Sequence, residues 1–534
     1  MVLVSLDISA TPYVVLAAGA VAIVFTILKI AQFVHEWKYA RDNGCQPPIH
    51  TVVRGPLGLG LVTDMLAAAR ENRILELVHG WHREFGTTFK AKMVARTIVF
   101  TVEPKNVQTV LALKFKDFEL GELRNRAFRP LLGSGIFSTD GSKWEHSRGL
   151  LRPNFTRNQI TDINVYETHV AALIKRIPCD GSTFDLQDLF FRMVIASLTL
   201  LFSRIWLTHG KTLDSATEFL FGESVHSLND GTSTSASSFA TDFNTAQEGL
   251  AFRTRLGPLM LFHRDRKFSK AVVDARAYVD RFVQKAINYR VSLDSGEKVP
   301  EDARKLNEQQ YVFLYELSKR TRDKAELTDQ LLSILLAGRD TTASLLSITF
   351  FTMARRPEIW KKLREEVLTL GGRKPSFEDL KSMTYLSWVL NETLRFYPIV
   401  PMNARMANKD TYLPVGGGPD GKSPLYIAKG HEVMYSVHTM HRLPEHFGPD
   451  ADEYRPERWE TLRPGWAYLP FNGGPRICIG QQFALTEAGY TTVRLMQHFE
   501  TIENRDPKPF EEGLTLTMAS FNGTKVAMTL SKGS

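Results

Sequence analysis

Cysteine is scarce: Cys45, Cys179 and Cys478 are the three in 534 residues, each far from the others. That excludes a disulfide framework and any zinc-type Cys spacing, and it fits a reducing compartment. Internal repeats are absent. The one low-complexity patch, Gly231-Thr-Ser-Thr-Ser-Ala-Ser-Ser238, is expected to be a loop. The formal net charge is +8, yet no Lys/Arg cluster interleaves with aromatics, so a nucleic-acid surface is excluded. The excess points instead to anionic lipid or an acidic protein partner. Charge is missing altogether from Ile8 to Leu28, and Val14 to Leu28 is almost wholly apolar, enough for a helix to cross a bilayer core of about 30 Å. No Lys or Arg precedes this run, which argues against a cleaved signal peptide, whereas Lys29, Lys38 and Arg41 follow it. The expectation is a single-pass anchor over residues 1–34 in the endoplasmic reticulum membrane, with the body on the cytosolic side.

With 43% hydrophobic residues, the remainder can bury a large core. Gln46-Pro-Pro-Ile49 and Gly55-Pro-Leu-Gly-Leu-Gly60 mark residues 35–60 as a stiff, turn-rich connector before a body over 61–534. Helical periodicity dominates the body, for example in Val165–Ile177, Ala271–Tyr289 and Pro357–Leu370. Strand-like runs such as Thr97–Val102 and Glu432–Val437 are short. The fold class expected is mainly α with small β-sheets. The longest helix should run from about Asp323 to Arg355, roughly 50 Å, and cross the core; Arg339 and Asp340 at its middle argue against a second membrane span. The apolar connection Leu256–Phe262 either dips into a bilayer, guards an apolar channel or packs as a buried loop.

Cys478 stands in Phe471-Asn-Gly-Gly-Pro-Arg-Ile-Cys-Ile-Gly480, where three glycines allow tight turns and Pro475 stiffens the loop. From Gln481 the apolar spacing turns helical, so the sulfur sits near a helix N-terminus, which favours thiolate. Such a thiolate can be a nucleophile, a redox thiol or a metal ligand. No adjacent histidine base is evident for the first role. A haem ligand fits better, since it needs hydrogen-bond donors around sulfur and no Cβ against a flat porphyrin.

The pattern Phe-x-x-Gly-x-Arg-x-Cys-x-Gly resembles the cytochrome P-450 superfamily of haem-thiolate monooxygenases, over about residues 47–530, and four further motifs follow in the family's order. The resemblance implies a cytochrome P-450 fold behind the transmembrane helix, with haem b held by Cys478 as axial iron ligand. Trp144 and Arg148, in Trp144-Glu-His-Ser-Arg148, look like haem propionate partners, as do Arg476 and Arg405. Glu392 and Arg395, in Glu392-Thr-Leu-Arg395, would form a buried structural triad with Arg458, in Tyr454-Arg-Pro-Glu-Arg-Trp459. Ala337-Gly-Arg-Asp-Thr-Thr342 is similar to the oxygen-activation motif. It gives Asp340 and Thr341 as the catalytic acid and alcohol, with the hydroxyl bonding back to the i−4 carbonyl and distorting the helix.

Glu326-Leu-Thr-Asp-Gln-Leu-Leu-Ser333, Ala337–Ser344, Phe118-Glu-Leu-Gly121 with Pro130–Phe137, and Gly480–Ala488 look like the fungal alkane and fatty-acid hydroxylases. The resemblance therefore implies hydroxylation of a long aliphatic chain at or near its methyl end, with O2 and with electrons from a separate NADPH-dependent flavoprotein reductase, since no flavin or nicotinamide domain follows the haem motif. Alternatives are a fungal secondary-metabolite oxygenase, an electron-independent haem-thiolate isomerase and a haem sensor. Ala337, Val400, Met402 and Met518 are the expected channel residues. Many animal ω-hydroxylases carry a glutamate at the position of Ala337 that can esterify the haem; its absence implies a non-covalent haem here.

Overall fold

A computed structural model describes residues 11–94, 96–155, 163–200, 234–295 and 313–531. Thr11–Asp42 form one helix, α1. Leu16, Val21, Phe25 and Ile30 on it stay 59–70% exposed, so its apolar side chains have no protein against them. A helix that is apolar all round and bare of protein is suited to hydrocarbon, and α1 is a candidate membrane span. Beyond Val34 the helix becomes polar and meets the body. His35 Nε2 lies 3.0 Å from the Asp410 carboxylate, and the Tyr39 ring packs 5.6 Å from that of Tyr426. The segment after α1 is tied down as well. Gln46 N–H donates to Pro424 O, Pro48 bridges to Gly417, and Thr51–Val52 (β1) pairs with Thr88–Met93 (β2). The proline-rich stretch is thus built into the folded body.

The other strands are β3 (Arg96–Thr101), β4 (Phe118–Glu119), β5 (Phe184–Asp185), β6 (Met402–Ala407), β7 (Thr411–Gly417), β8 (Ser423–Ile427), β9 (Glu432–Ser436), β10 (Phe499–Asn504), β11 (Glu512–Leu514), β12 (Met518–Ser520) and β13 (Lys525–Leu530). Six of them form a mixed sheet in the order β1-β2-β3-β9-β6-β4, in which β3 runs parallel to β9 and β6 antiparallel to it. The long helices of the body are α2 (Leu59–Arg70), α3 (Ile74–Phe85), α4 (Glu122–Leu132), α5 (Gly141–Leu151), α6 (Asn164–Ile174), α7 (Leu186–Leu200), α8 (Thr234–Leu256), α9 (Arg266–Ser295), α10 (Lys324–Ala354), α11 (Pro357–Leu368), α12 (Thr384–Phe396) and α13 (Gln481–His498).

The axis of the body is α10, the helix expected near Asp323–Arg355. Asp323 caps it by accepting from the N–H groups of Ala325 and Glu326, and Pro357 stops a continuation. Leu331, Leu332, Leu346, Ile348 and Phe350 are buried in a core that also takes side chains from α7, α9, α12 and α13. A helix buried by protein in this way is no second membrane span. The turn after α4 is locked onto it. Gly133 has φ +50°, and a Cβ there would stand 2.0 Å from an Asp329 carboxylate oxygen; one on Gly135 would stand 2.3 Å from Ser333 Oγ. In that space the Asp329 carboxylate accepts from Ser134 N–H at 2.6 Å and from Arg276 at 2.7 Å. Pro130–Phe137 and Glu326–Ser333 are therefore two halves of one contact.

One expectation is corrected. From Thr234 the serine-rich patch is helical and opens α8, while residues 231–233 lie outside the described residues. The helix is held by tertiary packing, including Phe239 stacked on Tyr278 at 4.3 Å, which outweighs local polarity. After α8 the chain makes a single turn, Gly257–Leu261, with Met260 buried, Leu261 exposed and Phe262 85% exposed. A chain beginning at Phe33 keeps the His35 and Tyr39 contacts but loses the apolar part of α1. It is expected in the soluble fraction after alkaline carbonate extraction, with the full chain in the membrane pellet. Pelleting of both would reject α1 as the anchor.

Candidate functional site

The loop before α13 is shaped by backbone demands. Gly474 has φ +68°, and a Cβ on it would lie 1.9 Å from Leu111 O, so no other residue fits without moving that strand of backbone. Asn472 adopts φ +63° and accepts from the Tyr435 hydroxyl at 3.1 Å. The Cys478 N–H donates to Phe471 O at 3.0 Å and closes the loop. A Cβ on Gly480 would meet nothing nearer than 3.8 Å, so protein packing does not require that glycine. Cys478 has open surface, yet protein surrounds it densely enough to shift its titration. Both statements hold for a group lining an internal hollow. Burial pushes its thiol up, and the Gly480 N–H and Arg148 only partly oppose that.

Cations gather beside the sulfur. Trp144 and Arg148 share one face of α5, and Arg148 Nη1 donates to Ile477 O at 3.1 Å, next to Cys478. Arg476 lies over the Trp144 ring at 4.4 Å and donates to Thr139 O and the Asp140 carboxylate at 3.0 and 2.8 Å. Arg405, on β6, is 6% exposed and donates to its neighbour's carbonyl, Ala404 O, at 2.8 Å. Arg124, on α4, donates to Phe137 O at 3.1 Å. Burial, ahead of repulsion from Arg405 and Arg124, pushes Arg476 down to about 9; burial and Arg405 push Arg124 down to about 10. Arg476, Arg124 and Arg405 repel one another with Asp140 as the carboxylate acting on Arg476 and Arg124, and Arg148 stands at the neighbouring Ile477, a positive excess which a dianion such as the two haem propionates would relieve. Together with the open side of Gly480 and the sulfur of Cys478 beside it, these residues fit a haem. Arg124 was missed in the sequence, because Leu123-Arg-Asn-Arg126 has the look of a solvated helix turn.

Glu392, Arg395 and Arg458 come together as expected of a structural triad. Glu392 is fully buried and accepts from Arg395 at 2.8 and 2.9 Å, from Arg458 at 2.9 Å, from the Trp459 indole at 3.0 Å and from Arg455 N–H at 2.8 Å. Arg395 also donates to the carbonyls of His441, Ala451 and Glu453. His441, which no spacing rule singles out, carries the connection onward. Its Nδ1 faces Arg395 O at 3.1 Å, and its Nε2 accepts from Leu469 N–H at 2.9 Å, so the proton sits on Nδ1. Leu469 O in turn receives the Asn472 N–H of the cysteine loop.

At the middle of α10 the Thr341 hydroxyl donates to Ala337 O at 2.8 Å, the expected back-bond, while the helix runs on unbroken to Ala354. Asp340 receives Gln247 Nε2 at 2.9 Å and lies 3.7 Å from Arg339 Nε. Burial pushes its carboxyl up, against the lowering effects of Arg339 and Gln247. Of the channel residues, Met518 donates its N–H to Ile399 O, one residue before Val400. Met402 opens β6, and β12, which carries Met518, packs against the α10 helix of Ala337.

Burial lowers the His441 pKa from 6.5 to about 3, so in acid the unfolded chain takes up this proton first. The stability contributed by the neutral ring is complete above about pH 6.5 and is lost as pH falls from there toward 3. His441→Phe, which strands Arg395 O and Leu469 N–H, is expected to cost about 2–4 kcal/mol at neutral pH. It should also flatten the acid side of a melting-temperature profile; an unchanged acid slope would show that other groups carry it.

A family profile described as Cytochrome P450 matches residues 53–524. Cytochrome P450 monooxygenase himC of Aspergillus japonicus is 45% identical over 91% of this chain and 84% of its own length. Cytochrome P450 monooxygenase fsdH of Fusarium heterosporum is 41% identical over 98% and 89%. Cytochrome P450 52A13 of Debaryomyces hansenii is 42% identical over 97% of each.

Proposed function

Because the chain belongs to the cytochrome P450 family, whose members are haem-thiolate monooxygenases, we propose that it hydroxylates fatty acids or n-alkanes at or near the methyl end. The observation that carries the oxygenase site is the glycine-shaped loop that holds Cys478, with Arg148 bonded to Ile477 beside it and Arg476 bonded to Asp140 two residues before it. The aliphatic substrate is supported by the segments Glu326–Ser344, Phe118–Gly121, Pro130–Phe137 and Gly480–Ala488, which look like the fungal alkane and fatty-acid hydroxylases. The apolar side chains of Ala337, Val400, Met402 and Met518 suit the same substrate.

A bound haem b supplies the activation of O2, one atom of which enters a substrate C–H bond while the other leaves as water. Cys478 would hold the haem iron through its sulfur, and Trp144, Arg148, Arg405, Arg476 and Arg124 would hold the propionates. Glu392, Arg395 and Arg458 brace the cysteine loop and touch no reacting atom. Asp340 is the proton source and the Thr341 hydroxyl the neighbouring relay; burial raises the Asp340 carboxyl above its ordinary range, which favours the protonated acid. With alanine at 337 the haem stays non-covalent. Electrons arrive from an NADPH-dependent flavoprotein reductase docked on the Cys478 side, and α1 holds the enzyme in the endoplasmic reticulum membrane with the body in the cytosol.

A second reading, a fungal secondary-metabolite oxygenase acting on a cyclic substrate, draws on the similarity to himC and fsdH. Membranes supplied with reductase, NADPH, dodecanoate, dodecane and a panel of cyclic compounds separate the two. Hydroxylated dodecanoate or dodecane is expected. Turnover of cyclic compounds alone, with intact haem, would replace the aliphatic reading by the second. In the same preparation Cys478→Ser is expected to lose the thiolate signature of the ferrous carbonyl spectrum; a retained band would remove Cys478 as ligand.

A further inference from the structure

Two residues one turn apart on α8 reach two consecutive residues at the centre of α10. Asn244 Oδ1 accepts from Arg339 Nη1, and Gln247 Nε2 donates to Asp340 Oδ2 at 2.9 Å. Gln247 is 6% exposed, and a carboxamide buried that deeply is costly unless it is bonded. Its bond goes to the acid that precedes Thr341.

We propose that Gln247 is a positioning residue, whose side chain holds the Asp340 carboxyl in place for proton delivery and sets how firmly that carboxyl keeps its proton. This deepens the hydroxylase reading and rests on it. The chemistry of the partner matters. A bidentate arginine would lock the carboxylate in its ionised form, useless as a proton donor. A neutral amide steadies the carboxylate less, and by turning over it can offer its oxygen to the protonated acid, so one side chain serves both states of Asp340. Arg339 is the charged group acting on Asp340 among the described residues, and it is drawn aside. Its Nη1 is engaged by Asn244, and its Nε stays 3.7 Å away without a hydrogen bond. From α8 the group facing the carboxyl is Gln247. Burial favours the protonated acid and the amide opposes it, so removing the amide leaves burial the stronger influence.

The test uses the full-length holoenzyme with Gln247→Met, which keeps length and volume but has no amide, and Gln247→Glu, which places a second carboxyl beside the first. The Asp340 carboxyl stretch is assigned in infrared difference spectra by its loss in Asp340→Asn and titrated in the resting protein. In Gln247→Met its midpoint is expected to rise by about one to two pH units, a ten- to hundredfold gain in proton affinity. Gln247→Glu should also raise it, because like charges in contact share a proton. During dodecanoate turnover the share of NADPH diverted to peroxide should rise severalfold in Gln247→Met, at unchanged haem content. An unmoved midpoint, or a moved midpoint with an unmoved peroxide share, overturns the proposal. If the unaltered enzyme hydroxylates no aliphatic chain, the substrate reading fails, while the infrared midpoint still decides whether Gln247 sets Asp340.

Discussion

One buried carboxylate, that of Glu392, is where the proximal half of the molecule converges. Two guanidinium groups, an indole and a backbone N–H all point at it, and leaving such cations without their anion costs about 3–5 kcal/mol. The arginines then spend their remaining donors on the carbonyls of residues 441–453, a stretch with little regular structure of its own. Irregular backbone is thereby held as firmly as a helix. His441 passes that rigidity to Leu469, and Asn472 and Gly474 fix the path of the last residues before the sulfur. Hydrogen bonds thus connect the charge pairing at Glu392 to the loop that carries Cys478, where local turn chemistry takes over.

The distal half follows a different logic. There α10 is the rigid rod, and the turn after α4 and the helix α8 touch it at Asp329 and at Arg339–Asp340. The turn after α4 fits against Asp329 and Ser333 because Gly133 and Gly135 have no side chains, and this explains why two distant segments of sequence carry the same subfamily character. Near the centre of the rod, the acid and the alcohol sit side by side with different partners: Thr341 is satisfied within its own helix, Asp340 from another.

Much of this was legible in the sequence wherever the chemistry is local. The glycines and proline around Cys478, the i, i+3 pair Glu392 and Arg395, and the i, i+4 pair Trp144 and Arg148 are all short-range patterns. The long apolar helix α1 was visible from its missing charge. His441 and Gln247 were not legible, because their partners lie 28 and 93 residues away and each looks alone like an ordinary polar residue. Arg124 was hidden in the same way, since its meaning comes from Arg405 and Arg476, which only the fold brings near. The helix that begins at Thr234 went unseen because serine-rich composition signals a loop, while the aromatic contact that holds it is tertiary.

The manner in which α1 meets the body has a mechanical meaning. A membrane helix followed by a slack tether lets its cargo tumble, but here the same helix continues to Asp42 and is bonded to the hairpin of β7 and β8 through His35 and Tyr39. It behaves as a rod fixed at one end. A thinner or thicker bilayer, to which a spanning helix responds by tilting, would therefore tilt the whole body with it. If α1 spans a bilayer, lipid composition becomes a means of steering which face of the enzyme looks at the membrane surface.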